Sequence, residues 1–200
     1  MTPLPKDPKK AEAILRSAVK VFAQSGLERG TISDIATEAG IGKGTVYEYF
    51  SSKDEIFEAI LNAMMDEITG ALEQLQGMDL TPTEKMRTFM RMNTEMIFEM
   101  QENMLIMVEL WAQAVRGQWH GEKNPVLFNY YDRIRDLIIL ILAEGEQRGE
   151  FRPMNKDGVA TLLVAFLDGL ILQFMIIRDK ERFEKAVMEG IHSFMKGIER

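Results

Sequence analysis

Residues 31–53 have the sequence TISDIATEAGIGKGTVYEYFSSK. The apolar residues follow helical spacing on both sides of Gly40, with Ile35, Ala36 and Ala39 before it and Ile41, Val46 and Phe50 after it. Gly40 supplies the positive φ angle that a tight turn between two helices requires. Two short helices joined in this way form a helix-turn-helix, which places its second helix in the major groove of DNA.

The signals for helix starts agree with this arrangement. Thr31 with Asp34 resembles a capping box, and Ser52 with Glu55 repeats that pattern before the following helix. The second helix is therefore predicted between about residues 42 and 50. Its side chains offer hydrogen-bond donors for phosphates and base edges, and these are Lys43, Thr45, Tyr47 and Tyr49.

Residues 14–57, ILRSAVKVFAQSGLERGTISDIATEAGIGKGTVYEYFSSKDEIF, resemble the N-terminal DNA-binding domain of TetR-type transcriptional regulators. The resemblance implies an all-α dimer whose larger C-terminal domain binds a small molecule and thereby loosens DNA binding. It implies phosphate contacts from Tyr47 and Lys53. The other DNA contacts that it implies are Thr31, Ser33, Lys43, Gly44, Thr45 and Tyr49. Gly42 departs from the small hydroxyl residue common in the family, which predicts a weaker helix cap.

The composition is that of an ordinary globular protein, with 46% hydrophobic and 28% charged residues in 200. Because the chain has no cysteine, disulfides, zinc fingers and thiol catalysis are excluded. The two histidines, His120 and His192, lack ligand-like spacing, so we predict no metal and no cofactor. No signal segment opens the sequence, which predicts a cytoplasmic protein.

The net charge of −7 is unusual for a protein that binds DNA. Residues 1–53, however, contain eight Lys or Arg against six Asp or Glu, so that segment carries +2 and the remainder carries −9. A mildly basic head on an acidic body suits local contact with phosphates while the body is repelled from the duplex. A chance asymmetry of charge is the alternative interpretation.

Helical periodicity continues through the rest of the chain, and no segment alternates with period two for long enough to predict a strand. We predict an all-α fold of about nine helices. Residues 1–53 form the helix-turn-helix domain, and residues 54–200 form a ligand-binding and dimerisation domain. The helix after Ser52 runs from one domain into the other without a flexible linker, so tilting it would move the recognition helix.

The segment 86–107 contains seven of the fifteen methionines. Flexible, polarizable thioethers suit a surface that adapts to varied apolar partners, which favours a pocket for a hydrophobic effector. A methionine-rich core is the alternative. The residues predicted to line the pocket are Phe89, Met96, Met100, Met107, Trp111, Phe128 and Phe166. Glu109, Arg116 and Asp168 either orient a polar group of the ligand or form internal salt bridges.

Residues 159–177, VATLLVAFLDGLILQFMII, are nearly long enough to span a bilayer, but Asp168 lies at their middle. Burial against the core on one side and a second subunit on the other explains a helix that is apolar almost all round. The last helix offers a matching apolar stripe of Phe183, Val187, Ile191 and Phe194. We therefore predict a homodimer formed through the last two helices, with no membrane partner.

No carboxylate pair stands in the apolar setting that general acid–base catalysis needs. Residues 40–45 lack the spacing and the preceding strand of a phosphate-binding loop. The sequence therefore predicts no enzyme. The resemblance to TetR-type regulators implies a dimeric, ligand-responsive transcriptional repressor. It would bind palindromic operator DNA and be released by a small apolar or amphipathic effector. Two alternatives stay open: a small-molecule-binding protein or enzyme that retains a helix-turn-helix, and a transcriptional activator.

Overall fold

The computed structural model describes residues 7–99, 101–119 and 125–200. Regular secondary structure in those ranges is helical, apart from an isolated β-bridge between Phe151 and Glu199, which confirms the all-α prediction. The helices are α1 Pro8–Arg29, α2 Ile32–Glu38, α3 Lys43–Tyr49, α4 Lys53–Gly77, α5 Pro82–Glu99, α6 Gln101–Trp119, α7 Pro125–Gln147, α8 Lys156–Ile177 and α9 Lys180–Ile198.

The helix α1 contains a break at Gly26. Gly26 has φ +76° and ψ +160°, and one further helical turn follows as far as Arg29. The N–H of Gly30 then donates to the Gly26 carbonyl at 3.0 Å, which closes that turn. The chain thus changes direction at Gly26, and the carbonyls of Leu27 and Glu28 lie in the last turn of the helix.

The chain divides into two compact units by its internal contacts. The first consists of Met1–Asp66 with Leu105–Glu122, and the second of Glu67–Met104 with Lys123–Arg200. The predicted functional boundary at residue 53 follows the sequence motif rather than this packing, and it stays a prediction. The helix α4 contributes its first part to the first unit and its last part to the second.

The first unit contains the helix-turn-helix on a small apolar core. The helix α1 packs on α2, and α2 packs on α3. The side chains at the centre are almost fully buried, namely Ile14, Ala18, Phe22, Ile35, Ala36 and Val46. Burying each large side chain of this kind stabilises the fold by about 1.5–3 kcal/mol. The salt bridge from Lys20 to Glu38, 3.0 Å long, joins α1 to α2 at the surface.

In the second unit α7 packs along α8, and α5 packs against α7, α8 and α9. The connection from α7 to α8 is tied down by the fully buried ring of Phe151, which lies directly over Gly145. The N–H groups of Glu150 and Phe151 donate to the Gly145 carbonyl at 2.8 and 3.0 Å. Arg152 N–H donates to Ile198 O at 2.9 Å, so the same connection holds the end of α9.

Among the helices of the described ranges, α8 is the one long and apolar enough to cross a membrane, with a mean hydropathy of 2.2. Its buried side contacts the rest of the second unit through residues such as Leu163, Leu167 and Phe174. Its other side is exposed and apolar, with Leu162, Phe166, Leu172, Ile176 and Ile177. We call these five residues the outer face of α8. Exposed apolar surfaces of this kind commonly mark interaction sites in proteins.

Candidate nucleic-acid interface

The start of α2 carries the capping box that the sequence predicts. The Asp34 N–H donates to Thr31 Oγ1 at 3.2 Å, while the Asp34 carboxylate accepts from the Thr31 N–H at 3.0 Å and from its hydroxyl at 2.6 Å. These bonds from the Thr31 hydroxyl and N–H lower the pKa of Asp34. Thr31 and Ser33 are both exposed, and the hydroxyl proton of Thr31 is already donated within the box.

The turn after α2 is a Schellman motif centred on Gly40. Gly40 has φ +65°, and its N–H donates to Thr37 O at 3.1 Å. The N–H of Ile41 donates to Ala36 O at 3.0 Å, which completes the pair of bonds that defines the motif. The left-handed conformation predicted for Gly40 is therefore present, and it sets the direction in which α3 leaves the turn.

The recognition helix α3 is held by Val46, whose side chain is completely buried. Gly42 caps α3 without a side-chain hydrogen bond, as the missing hydroxyl predicted. Lys43 and Gly44 are exposed, and Tyr47 is half exposed, with the Lys43 ammonium 5.9 Å from its ring centroid. Thr45 and Tyr49 are partly buried at the edges of the helix. This arrangement presents most of the predicted contact residues of α3 to solvent.

Lys53 stands apart from the other predicted contacts. It is the first residue of α4, and its ammonium donates to Leu27 O at 2.5 Å and to Glu28 O at 3.0 Å. The side chain is therefore engaged with the end of α1 in the protein alone. Glu48, which lies between Tyr47 and Tyr49 on α3, is an exposed carboxylate on the same helix.

The residues predicted to bind an effector fall in both compact units. Phe89 and Met107 are buried, Met96 and Trp111 are partly buried, and Met100 lies outside the described residues. The indole N–H of Trp111 is buried without a hydrogen-bond partner in the described structure.

The remaining two predicted effector residues are exposed in the second unit. Phe128 lies on α7, and Phe166 lines a surface groove of about 380 Å³ between α8 and α9. The other walls of that groove include Leu170, Phe183 and Val187. Effector contact stays a prediction for all seven residues.

Of the polar residues singled out in the C-terminal part, Glu109 and Asp168 are partly buried, while Arg116 is exposed. Glu109 pairs with Arg116 at 3.1 Å, and the Tyr131 hydroxyl donates to Asp168 at 2.8 Å. Burial raises the pKa of Asp168, and the bond from Tyr131 offsets part of that rise. Burial and the nearby Asp168 charge also raise the pKa of Tyr130 well above its ordinary value. No group of three or more metal-ligating side chains occurs among the described residues.

We expect Asp168→Asn to stabilise the protein at neutral pH. Because the folded-state pKa of Asp168 is raised above its ordinary 3.8, the wild type loses stability as pH rises from that value through the raised pKa. Asparagine accepts the Tyr131 hydrogen bond without ionising. Melting temperatures measured from about pH 4 to pH 8 should therefore diverge in favour of the variant as pH increases. A difference that does not change with pH would contradict ionisation as the cause.

Comparison with known protein families identifies the family to which the chain belongs. Residues 14–60 match the family of bacterial regulatory proteins named after tetR, and residues 82–196 match the C-terminal domain of BetI-type transcriptional repressors. The chain belongs to the TetR family. The resemblance inferred from residues 14–57 is thereby confirmed, and so is the expectation that the protein is a transcriptional regulator rather than an enzyme.

Individual relatives and solved structures match between about seven tenths of the chain and nearly all of it. The regulator YfiR of Bacillus subtilis is 26% identical over 197 residues, which are 96% of this chain and 93% of that protein. The repressor KstR2 of Mycolicibacterium smegmatis is 28% identical over 71% of this chain and 67% of its own length. A Saccharomonospora viridis regulator solved in complex with choline shares the fold, with a TM-score of 0.80 and 20% identity over 97% of this chain and all of that one.

Proposed function

We propose that this TetR-family protein is a dimeric repressor that binds palindromic operator DNA and leaves it when a small apolar or amphipathic effector binds. The proposal rests on the way in which α3 is anchored and exposed. A short helix anchored by one buried residue, Val46, presents Lys43, Gly44 and Tyr47 to solvent after a rigid turn. Side chains and backbone so presented suit insertion into a major groove. The repressors among its relatives favour repression over activation.

The proposed DNA contacts divide by chemistry. Lys43 is suited to bind guanine or a phosphate, and the hydroxyls of Thr45, Tyr47 and Tyr49 are suited to phosphates or base edges. Gly44 faces open space, because a Cβ built there would meet no atom of the chain within 4 Å. Since Gly44 has no side chain, its backbone can approach the groove closely. Thr31 and Ser33, at the start of α2, and Lys53, at the start of α4, complete the proposed set.

The outer face of α8 supports a homodimer with the last two helices of each subunit in the interface. Ile176 and Leu162 are 81% and 72% exposed, whereas isoleucine and leucine side chains are usually buried. Gly169 and Gly190 leave open space where a Cβ would stand, so a second helix can approach closely. A two-fold axis would present two recognition helices to half-sites about 34–36 Å apart.

The proposed effector enters the C-terminal domain and favours a state in which α4 is tilted. Because α4 is continuous from Lys53 to Gly77, a shift at its later turns moves its first turn and changes the spacing of the recognition helices. Such an effector acts through its different affinities for the two states. The buried N–H of Trp111, which has no hydrogen-bond partner among the described residues, would donate to an oxygen of an amphipathic ligand.

The test of this function is selection of bound duplexes from a random-sequence pool by the full-length protein. We expect enrichment of an inverted repeat, protected by a dimer and released by an apolar or amphipathic compound such as a long-chain acyl ester. Choline, the ligand of the Saccharomonospora viridis protein, is the second candidate to add. Absence of any enriched sequence would favour a binding protein or enzyme that retains the motif. Increased reporter expression would indicate an activator.

Lys43→Met should weaken operator binding by about tenfold and reduce the slope of log affinity against log salt by about 0.9. Methionine keeps the length of the side chain but removes its charge, so the counterions released by that charge stay on the DNA. Fluorescence anisotropy between roughly 50 and 200 mM salt measures both quantities. Lys196→Met, the same change at an exposed position of α9, should leave both unchanged. An unaltered slope for Lys43→Met would remove Lys43 from the contacts.

A further inference from the structure

Glu48 is the one carboxylate on the recognition helix α3, and it lies on the side of the helix that faces away from the core. Two positions along an α-helix correspond to a rotation of about 200°. Glu48 comes two residues after the buried Val46, and Gly44 comes two residues before it. Both therefore lie opposite the residue that anchors the helix, and both are exposed.

The glycine one turn before Glu48 leaves the N-terminal half of α3 open to the carboxylate. Side chains of a helix lean toward its N-terminus and cover the surface of the residue four positions earlier. For Glu48 that residue is Gly44, where even an added Cβ would meet no atom within 4 Å. The N-terminal residues of a recognition helix are those that contact base edges. The Glu48 carboxylate can therefore reach the part of α3 that would lie at the bases.

The charge of Glu48 is not neutralised within the protein. The side chain forms neither a hydrogen bond nor an ion pair with any residue that the structure describes. By contrast, Glu38 at the end of α2 is paired with Lys20 at 3.0 Å. Phosphates repel a carboxylate, so an unpaired one on the surface proposed to meet DNA weakens binding unless a donor on a base compensates for it.

An ionised carboxylate only accepts hydrogen bonds, which restricts the bases that it can bind. In the major groove, the amino groups of cytosine and adenine are the donors. Adenine also presents its N7 acceptor beside the amino group, and this acceptor repels a carboxylate, whereas cytosine presents the donor alone. Thymine offers only an acceptor oxygen and a methyl group at the same edge.

We propose that Glu48 is a specificity-determining residue, whose carboxylate accepts a hydrogen bond from the N4 amino group of one cytosine in each operator half-site. This inference rests on the proposed function of DNA binding. Because the two half-sites of a palindrome meet identical helices, the cytosine occupies the same position in both. The contact selects a base and neutralises no phosphate.

The test selects duplexes from a random-sequence pool with four full-length proteins: the wild type, Glu48→Gln, Glu48→Ala and Glu28→Gln. Glutamine keeps the length of the Glu48 side chain and adds an amide donor, while alanine removes the acceptor. Glu28→Gln is the matched control, because it removes the same charge from an exposed residue of the same compact unit, at the end of α1. Anisotropy then compares the selected duplex with one in which thymine replaces the cytosine in both half-sites.

We expect the wild type to select cytosine at one position of each half-site and to bind the thymine duplex at least about tenfold more weakly. Glu48→Gln should shift the preference at that position to adenine, whose N6 and N7 pair with a glutamine amide. Glu48→Ala should select no base there. The other positions should keep their bases in both variants, and Glu28→Gln should select the wild-type sequence.

An inverted repeat selected unchanged by both Glu48 variants would overturn the role of Glu48 and leave the proposed function in place. A wild-type preference for another base at the position that the variants change would overturn the cytosine contact. So would a loss of preference at all positions with wild-type helix content, because a base contact affects one position. Absence of any selected sequence for the wild type would overturn both proposals. Either Glu48 variant decides the outcome if the other does not fold.

Discussion

Ile176→Glu converts the protein into a monomer that no longer binds operator DNA, the largest functional effect that we expect from one substitution. Ile176 is 81% exposed in the single subunit, so the subunit does not need it to fold. In the proposed dimer the side chain is buried on the outer face of α8, and each subunit would place one unpaired charge in the interface. Such a charge weakens association by roughly a hundredfold or more.

Sedimentation velocity at micromolar concentration and anisotropy with the selected duplex measure the two effects together. Val115→Glu introduces the same charge on α6 at a residue that is 67% exposed, and it should remain dimeric and bind DNA. Far-ultraviolet circular dichroism should show equal helix content for both variants. A dimeric Ile176→Glu protein that retains wild-type affinity would place the interface on another surface.

Gly145→Ala should cause the largest loss of stability. A Cβ on Gly145 would lie 2.1, 2.4 and 2.8 Å from the Cδ2, Cε2 and Cγ atoms of Phe151, distances that real side chains essentially never show. The ring is fully buried, so it has little room to move away. Overpacking of this kind costs about 3 kcal/mol, which lowers the melting temperature of a protein of this size by about 6–12 °C.

Gly197→Ala is the matched control for that prediction. It also changes a helical glycine to alanine, but a Cβ there meets nothing within 4 Å. Since alanine is the better helix former, the variant should be unchanged or more stable by up to about 1 kcal/mol. Thermal unfolding of both variants at one protein concentration measures the difference. Equal melting temperatures for Gly145→Ala and the wild type would show that the α7–α8 connection adapts freely.

Sequence reasoning succeeded where the signal is local. The capping box of Thr31 and Asp34 and the left-handed Gly40 both depend on residues within one or two turns. The Ser52 pattern was right in one half: Ser52 Oγ accepts from the Glu55 N–H, but the Glu55 carboxylate accepts from the N–H and hydroxyl of Ser51 instead. Local chemistry thus fixes where a helix starts, and a neighbouring hydroxyl can still take the reciprocal bond.

Contacts between distant parts of the chain could not be predicted from the sequence. The motif predicts a phosphate contact for Lys53 and gives no sign of its two carbonyl partners, which lie 25 and 26 residues earlier. In the sequence, Gly145 does not differ from other helical glycines, and only the structure shows that the ring of Phe151 lies against it. The candidate effector residues were chosen by residue type. Residue type does not say which side chains are buried together, and the structure leaves Phe128 and Phe166 exposed.

The anchoring of α3 through Val46 has a consequence for how such a regulator acquires new target sites. Of the seven residues in this helix, Val46 is the buried one, and the orientation of the helix is set by Gly40 before it. Substitutions at its solvent-exposed positions therefore cost little folding free energy, typically within about 0.5 kcal/mol. Substitutions at these positions can therefore change the operator sequence that the protein prefers, while the fold of the helix-turn-helix stays the same.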